Sequence, residues 1–248
     1  PHDWTRPFAL RDEIHGYLSG VARDFRLPEI TRFGTAVTRA DWDEGARIWR
    51  VEVDGPDGRE VLEAEAVISC VGVLNIPKTP TIPGLETFPG PAFHTARWPE
   101  GLDVTGKRVA VVGNGASAMQ VVPAIAERTE HLTVYARSPQ WAAPFPQFGR
   151  EIPEGVRMLL REVPLYRAWH RQRMTWTFND RVHGSLQKDP AWPHPDRALN
   201  ASNDAHRRYF EDYVRAELGE RQDLAPLVIP TYPPFGKRML MDNGWFRT

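Results

Sequence analysis

Apolar residues recur at helical spacing near the start of the chain, at Ile14, Tyr17, Leu18, Val21 and Phe25. This spacing predicts an amphipathic helix over 11–25 that ends before Pro28 and packs one face on a neighbour. Short runs rich in strand-forming residues follow, at 30–33, 36–40, 48–53, 59–62 and 66–70. The turn-forming segment 54–58 separates two of them, so the sequence predicts a hairpin within a small antiparallel meander.

A different pattern begins after the proline-rich segment 76–83, where we expect a boundary. Residues 107–112 predict a nearly continuous apolar strand, of the kind covered on both faces in a parallel sheet. A glycine turn, a helical pattern over 116–127 and a second strand at 132–136 follow. Together these elements predict a parallel βαβ unit and an α/β fold class.

The remainder of the chain is helical in pattern from about 151 to 227 and rich in Trp, Arg and Tyr. Helices are predicted over 155–172 and 204–218. Three prolines within 189–195 predict a loop between them. This part of the chain is interpreted as a helical insertion.

Composition narrows the function classes. The 248 residues predict one or two domains, and 31 basic against 32 acidic side chains give no general attraction to nucleic acids or anionic membranes. The single Cys70 excludes an internal disulfide and a CxxC disulfide reductase, and we predict no metal site. No apolar run suits a membrane span or signal peptide, so we expect a cytoplasmic protein. Because Pro1 replaces an initiator methionine, we expect an excerpt of a longer protein.

The glycine turn has the form GxGxxA over Gly113, Asn114, Gly115, Ala116, Ser117 and Ala118. In a strand–turn–helix context, Gly113 makes the tight turn, Gly115 lets a pyrophosphate approach the backbone, and Ala118 lets the helix approach the strand. The helix N-terminus offers N–H donors and a positive dipole to phosphate. The turn therefore predicts a dinucleotide site, and the alternative is a glycine-rich turn without a ligand.

The end of the second strand carries Arg137 and Ser138, roughly 20 residues beyond the turn, where an NAD-preferring site has a carboxylate. A carboxylate would repel a 2′-phosphate, whereas a guanidinium can bind it in bidentate fashion. The sequence therefore predicts NADP rather than NAD. A solvated surface arginine is the alternative interpretation.

A second motif lies upstream and reads FxGxxxHxxxWP over Phe88, Gly90, His94, Trp98 and Pro99. From these residues alone we expect a packed interdomain linker with a structural histidine. The spacing resembles the identifying pattern of the Baeyer–Villiger monooxygenases, in which His94 and Trp98 would act in linker and domain movement. The Trp-Pro ending favours this branch over the related flavin-containing and N-hydroxylating monooxygenases.

The resemblance implies a two-dinucleotide-binding-domain flavoprotein architecture. In it, 1–79 is a partial FAD-binding domain containing the meander, and 80–104 is the interdomain linker. Residues 105–145 and 231–248 form a Rossmann-like NADP-binding domain, and 146–230 are the helical insertion. Val71 and Gly72 would pass close to the flavin. The segment around Gly236, Lys237, Arg238 and Asp242 most resembles the hydroxyacetophenone-type enzymes.

The resemblance also implies the chemistry. NADPH would reduce FAD, and a C4a-peroxyflavin formed with O2 would attack a small-molecule ketone to give an ester or lactone. Arg238 is the catalytic candidate, because a permanently charged guanidinium stabilises negative charge without protonating the peroxide. Lys237 would bind the NADP 2′-phosphate with Arg137, and Ser138 is a further cofactor-binding candidate. From the residues alone, a Lys-Arg pair after a Pro-Phe-Gly turn is more typical of a solvated loop.

Two family features are missing from the sequence: the first GxGxxG, which binds FAD, and the C-terminal return to the FAD domain. We therefore expect the chain alone to hold FAD weakly and to be inactive. Two alternatives stay open, an N- or S-oxygenating flavin monooxygenase and a truncated NADP-binding module without activity.

Overall fold

The computed structural model of the protein describes residues 2–248. The chain divides into two compact units. His2 and residues 10–98 form the first, here called the N-terminal unit, and residues 3–9 and 99–248 form the second, the C-terminal unit. Among the described residues, no helix is long and apolar enough to cross a membrane.

The N-terminal unit contains one long helix and a three-stranded antiparallel sheet. Helix α1 spans Arg11–Asp24, and the strands, in sheet order, are β1 (Ala36–Asp43), β2 (Ile48–Gly55) and β3 (Gly58–Ala64). The hairpin closes with Gly55 opposite Gly58, whose φ of +103° is accessible to glycine because it lacks a Cβ. The predicted helix, hairpin and meander are confirmed.

Packing within this unit is sparse. Of its described apolar side chains, only Val51 and Val53 on β2 are buried, and α1 buries none of its residues. The expectation that one face of α1 packs on a neighbour is therefore not met within residues 2–248.

Two strand predictions in this unit are wrong. Leu27–Ile30 forms a 3₁₀ turn in which Pro28 sits near the start, where its fixed φ and missing N–H are tolerated. Residues 31–33 and 66–70 are irregular. A strand requires a hydrogen-bonded neighbour, and in the described sheet both β1 and β3 pair only with β2.

The C-terminal unit contains the predicted βαβ element. Strand β4 (Arg108–Val112) is followed by α2 (Ala116–Ile125) and by β5 (His131–Tyr135), and the two strands pair in parallel. Helix α2 turns its small and apolar face inward, and its buried residues are Ala118, Met119, Val122 and Ile125. Pro123 lies inside the helix, which tightens into a 3₁₀ turn at Ala126, three residues later.

This two-stranded sheet is covered on one face. Burial alternates along β4, and Val112 and Tyr135 at the ends of the two strands are each 62% exposed. The prediction that β4 is covered on both faces is therefore not met by the described residues.

Five helices follow in the C-terminal unit: α3 (Glu154–Glu162), α4 (Tyr166–Phe178), α5 (Asp180–His183), α6 (Ala201–Leu218) and α7 (Ala225–Val228). The single helix predicted over 155–172 is interrupted, because Pro164 has no N–H to donate and Leu165 adopts a φ of +65°. The predicted helix over 204–218 lies inside α6, and the predicted loop over 189–195 has no helix or strand.

A hydrophobic core joins α2 and α6 to the chain on either side of the helical segment. Two short parallel strands, β6 (Ala142–Ala143) and β7 (Leu240–Met241), pair within it. Its buried members are Met119, Ala142, Val214, Leu218, Ala225, Leu240 and Phe246. Each large apolar side chain buried in this way contributes roughly 1.5–3 kcal/mol. The core thereby holds the segment after β5 beside the segment that precedes β7.

Candidate functional site

The glycine turn at the end of β4 has the geometry expected of a phosphate-binding elbow. Gly113 has a φ of +108°, and its N–H donates to the Tyr135 carbonyl at 2.8 Å, which joins the elbow to the end of β5. Gly115 is the N-cap of α2, and no side chain caps the helix there. A Cβ added at Gly115 would meet no atom within 4 Å, so the space in front of the helix N-terminus is open. Backbone N–H groups at such a helix start are available to an anion.

The other elbow residues fix its position. Ala118 is buried where α2 lies on the sheet, and a larger side chain there would separate the two. The Asn114 Nδ2 donates to the Ser138 carbonyl at 2.8 Å. This hydrogen bond ties the elbow to the loop after β5, which carries Arg137 and Ser138.

A lysine from a distant segment of the chain contacts that loop. The Lys237 Nζ donates to the Ser138 Oγ at 2.9 Å, although the two residues are 99 positions apart. Arg137 and Arg238, the chain neighbours of this pair, are exposed, and neither forms an ion pair with a described residue. We call Arg137, Ser138 and Lys237 the clamp. The structure thus brings Lys237 to the loop that follows β5.

Tyr232 links the two sides of the clamp. Its hydroxyl donates to the Pro139 carbonyl at 3.1 Å, and its ring centroid is 4.6 Å from the Lys237 Nζ. Burial raises the pKa of the Tyr232 phenol. The hydroxyl therefore keeps its proton at neutral pH and remains a donor. Sequence reasoning did not single out this residue.

Buried polar residues on α6 hold the loop that carries Lys237. The Arg207 guanidinium is buried and donates to the carbonyls of Pro230, Thr231 and Arg197 at 3.0–3.2 Å. It also lies 5.3 Å from the Trp141 ring centroid. Polar groups this deeply buried are stable only when their hydrogen bonds are satisfied.

Asn203 is fully buried one turn before Arg207, and its Nδ2 donates to the carbonyls of Ser185 and Pro234 at 3.1 Å. Sequence reasoning missed both residues. A signal was present, because positions 203, 207, 210 and 214 share one helix face on which Phe210 and Val214 are apolar. A polar residue in such an apolar stripe indicates a buried hydrogen-bonding role.

A charged cluster flanks this network at the start of α6. The buried Asp204 carboxylate accepts hydrogen bonds from Arg197 and Arg208. Burial opposes ionisation of this carboxyl, but the hydrogen bond from Arg197 and the charges of both arginines outweigh it and lower the pKa of Asp204. Because Arg207 binds the Arg197 carbonyl, the charged cluster and the loop support are continuous.

Asp242, which follows β7, is also buried. Its carboxylate accepts from the Tyr213 hydroxyl at 2.7 Å and from the Trp245 N–H at 2.8 Å. Burial and the hydrogen bond to Asp242 raise the pKa of the Tyr213 phenol. Because Tyr213 lies on α6, its hydrogen bond to Asp242 holds the chain that follows Arg238 against this helix.

The upstream motif lies in the N-terminal unit up to Trp98. A Cβ at Gly90 would lie 2.9 Å from the Phe88 ring, so a larger residue there would displace the ring from its position over the backbone. The His94 Nδ1 accepts the Ala96 N–H at 3.1 Å and caps a 3₁₀ turn, and Trp98 packs edge-to-face on Phe93 at 5.0 Å. These contacts suit the structural interpretation of His94. The boundary between the two units falls between Trp98 and Pro99.

Val71 and Gly72, predicted to pass the flavin, lie in the irregular segment 66–76 of the N-terminal unit. Gly72 has a φ of +74°, and a Cβ there would meet nothing within 4 Å. The side chain of Val71 is exposed. The structure therefore places the predicted flavin residues on an open stretch of the N-terminal unit.

Comparison with protein families gives a match over residues 1–152 to the model of the flavin-binding monooxygenase-like proteins. The chain is 49% identical over 247 residues to an uncharacterized monooxygenase of Sinorhizobium fredii, covering 99% of this chain and 37% of that protein. It is 38% identical over 244 residues to a Baeyer–Villiger monooxygenase of Pseudomonas aeruginosa, covering 98% of this chain and 43% of that protein. The chain thus spans less than half the length of these relatives.

Among solved structures, the chain is similar to OTEMO in complex with FAD and NADP. The TM-score is 0.78 with 26% sequence identity, and the match covers 98% of this chain and 50% of the other. The likeness therefore extends through both compact units.

Proposed function

Because this chain belongs to the flavin-binding monooxygenase-like family, we propose that it carries the NADP site and the catalytic arginine of a Baeyer–Villiger monooxygenase. The complete protein would use NADPH and O2 to insert one oxygen atom beside a ketone carbonyl, giving an ester or lactone, with the other oxygen leaving as water. FAD, when bound, supplies the chemistry with O2. The hydrogen bond between Lys237 and Ser138 carries this proposal, because it brings Lys237 from a distant segment to the residue that follows Arg137 and that Asn114 of the elbow also binds.

The elbow and the clamp would bind different parts of the coenzyme. The backbone N–H groups in the first turn of α2 suit the pyrophosphate, because no side chain caps the helix and the space at Gly115 is open. Arg137 and Lys237 suit the 2′-phosphate, with Ser138 as a hydroxyl partner, since two positive charges favour a doubly charged group. This assignment accounts for an arginine where an NAD site has a carboxylate.

Arg238 is the proposed catalytic residue. Its guanidinium is exposed and is not neutralised by any carboxylate among the described residues. Its positive charge would stabilise the negative charge that develops on the ketone oxygen. The loop that carries it is fixed by Arg207 and Asn203 on one side and, beyond β7, by Asp242 on the other.

The flavin contact and the linker are proposed in the N-terminal part of the chain. Segment 66–76 is the proposed flavin contact, because Gly72 has a φ of +74° and no Cβ, which leaves its backbone open to an approaching ligand. Residues 80–104 are the proposed interdomain linker, and the unit boundary at Trp98 and Pro99 lies inside it. On this proposal, residues 1–79 belong to the FAD-binding domain, and 105–145 with 231–248 belong to the NADP-binding domain.

The test is the substitution Arg238→Ala in the complete protein, assayed with ketones and, in parallel, with amines and sulfides. NADPH should still reduce the flavin, whereas ester or lactone formation should fall by at least about a hundredfold, the usual cost of losing one charge-stabilising group. Arg215→Ala, at an exposed site on α6, is the control and should leave both steps unchanged. Normal ester formation by Arg238→Ala would overturn the role of Arg238, and oxygenation of amines or sulfides alone would overturn the reaction class.

A further inference from the structure

We propose that Tyr232 is a positioning residue that sets the preference for a nucleotide bearing a 2′-phosphate, because it holds the Lys237 ammonium beside Ser138. The inference rests on the proposed role of the clamp and extends it to a residue outside the clamp. It is carried by three contacts of Tyr232, through its hydroxyl, its ring and its backbone.

The hydroxyl joins Tyr232 to the Ser138 side of the clamp. It donates to the carbonyl of Pro139, the residue directly after Ser138, at 3.1 Å, and it lies 3.3 Å from the Gln140 Oε1. The distance between the Tyr232 ring and the loop after β5 is therefore set by a hydrogen bond rather than by loose packing.

The ring supports the Lys237 side. A lysine ammonium on an exposed four-carbon stem samples many rotamers, and holding it in one of them has an entropic cost. The aromatic face 4.6 Å from Nζ and the Ser138 Oγ at 2.9 Å together restrict it to the clamp. Gly236 allows the chain to pass this closely, because a Cβ there would lie 3.4 Å from the Tyr232 ring and 3.0 Å from the Pro233 carbonyl.

The backbone of Tyr232 is anchored in the core. Its carbonyl accepts the indole N–H of the buried Trp141 at 2.9 Å, and the Arg207 guanidinium lies against the same carbonyl at 3.5 Å. Lys237 has no comparable anchor, since its side chain is exposed. Tyr232 is thus held by the core through its backbone, and its ring restricts the Lys237 ammonium.

The experiment compares binding of 2′,5′-ADP and 5′-AMP, which differ by the 2′-phosphate alone, to the complete protein by calorimetry. Two non-aromatic variants, Tyr232→Leu and Tyr232→Met, should lower the affinity for 2′,5′-ADP roughly threefold to tenfold and leave that for 5′-AMP unchanged, the range expected for loss of a cation–π support. Tyr232→Phe keeps the ring but loses the hydrogen bond to the Pro139 carbonyl, so its preference should lie between those of the wild type and the non-aromatic variants. In turnover, KM for NADPH should rise while kcat is unchanged.

Two further variants separate the possible failures. Lys237→Ala should abolish most of the preference, and Tyr209→Leu, at an exposed tyrosine on α6, should leave it intact. If Lys237→Ala has no effect on the preference, the clamp and this inference both fail. If Lys237→Ala lowers the preference but neither non-aromatic Tyr232 variant does, only the inference fails. A loss of affinity for both nucleotides in equal measure would show a general structural role and would also overturn it.

Discussion

Two irregular segments of this chain carry predicted site residues, and they differ sharply in how they are held. The loop 230–238 contains Lys237 and Arg238, and buried side chains of α6 bind its carbonyls. Segment 66–76 contains Val71 and Gly72, and its apolar side chains are open to solvent, with Val73 96% exposed. Irregular backbone is therefore not equivalent to a loosely held site, because hydrogen bonds from a neighbouring helix can replace those of regular structure.

The two segments are proposed to bind different cofactors. The residues proposed to bind NADP are positioned by contacts within the C-terminal unit. The residues proposed to approach FAD are not buried against any part of the described chain. A row of large apolar side chains in water is unfavourable, and such a surface commonly marks a binding region. On the proposed function, bound FAD and the chain around it would cover this segment.

The largest expected effect comes from removing the support of the held loop. Arg207→Met leaves the carbonyls of Pro230 and Thr231 without their donor and Glu211 without its ion pair. We expect the free energy of unfolding to fall by about 3–4 kcal/mol, the range for breaking a buried charged network. Urea unfolding followed by circular dichroism measures this. Arg215→Met on the exposed face of α6 is the control and should cost under about 0.5 kcal/mol. Equal losses of unfolding free energy in Arg207→Met and Arg215→Met would show that Arg207 does not hold the loop 230–238, and the contrast with segment 66–76 would fail.

A smaller, pH-dependent effect is expected at Asp204, which extends the same support. Its pKa is lowered in the folded protein, so the folded state binds fewer protons than the unfolded state near that pKa. The stabilisation is therefore complete above the unfolded pKa of about 4 and is lost as the pH falls through the lower folded value.

Asp204→Asn should accordingly cost about 2 kcal/mol of stability at pH 7 and progressively less below pH ~4. Unfolding midpoints measured from pH 7 down to pH ~3 for both proteins give the comparison. If the stability difference between Asp204→Asn and wild type stays constant from pH 7 to pH ~3, the ionised Asp204 carboxylate is not the source of the stabilisation.

The smallest effect is expected in the open segment. Val73→Ser in this chain should change the free energy of unfolding by less than about 0.5 kcal/mol, because the side chain is already in water. Val53→Ser, at a buried position on β2 of the same unit, should cost about 2–3 kcal/mol. Thermal unfolding of both variants sharpens the comparison, and a large cost at Val73 would mean that segment 66–76 packs in solution.

The features predicted correctly are those encoded within a few residues. The hairpin between β2 and β3 follows from the turn residues that separate two strand-forming runs, and the elbow follows from Gly113, Gly115 and Ala118. The failed strands at 30–33 and 66–70 have suitable residues but no neighbour. Pairing depends on distant parts of the chain, which local propensity does not report.

The clamp is an intermediate case. Arg137 was predicted from its distance beyond the glycine turn, and Lys237 from resemblance to a family. Neither pattern contains the contact between Lys237 and Ser138, which depends on the pairing of β6 with β7. Tyr232, Arg207 and Asn203 were missed because their function lies in contacts with loop carbonyls. Every residue has the same backbone carbonyl, so no sequence motif shows which carbonyl a side chain will bind.

The sequence by itself determined the α/β class, the elbow and the cationic residues, since glycine conformations, hydrophobic period and charge are properties of short stretches of chain. Only the tertiary structure decided that Ser138 and Lys237 meet, that α6 buries an arginine to hold their loop, and that segment 66–76 stays open. The physical reason is that burial and long-range hydrogen bonds depend on which elements pack together, and that choice is made by the whole core rather than by any local pattern.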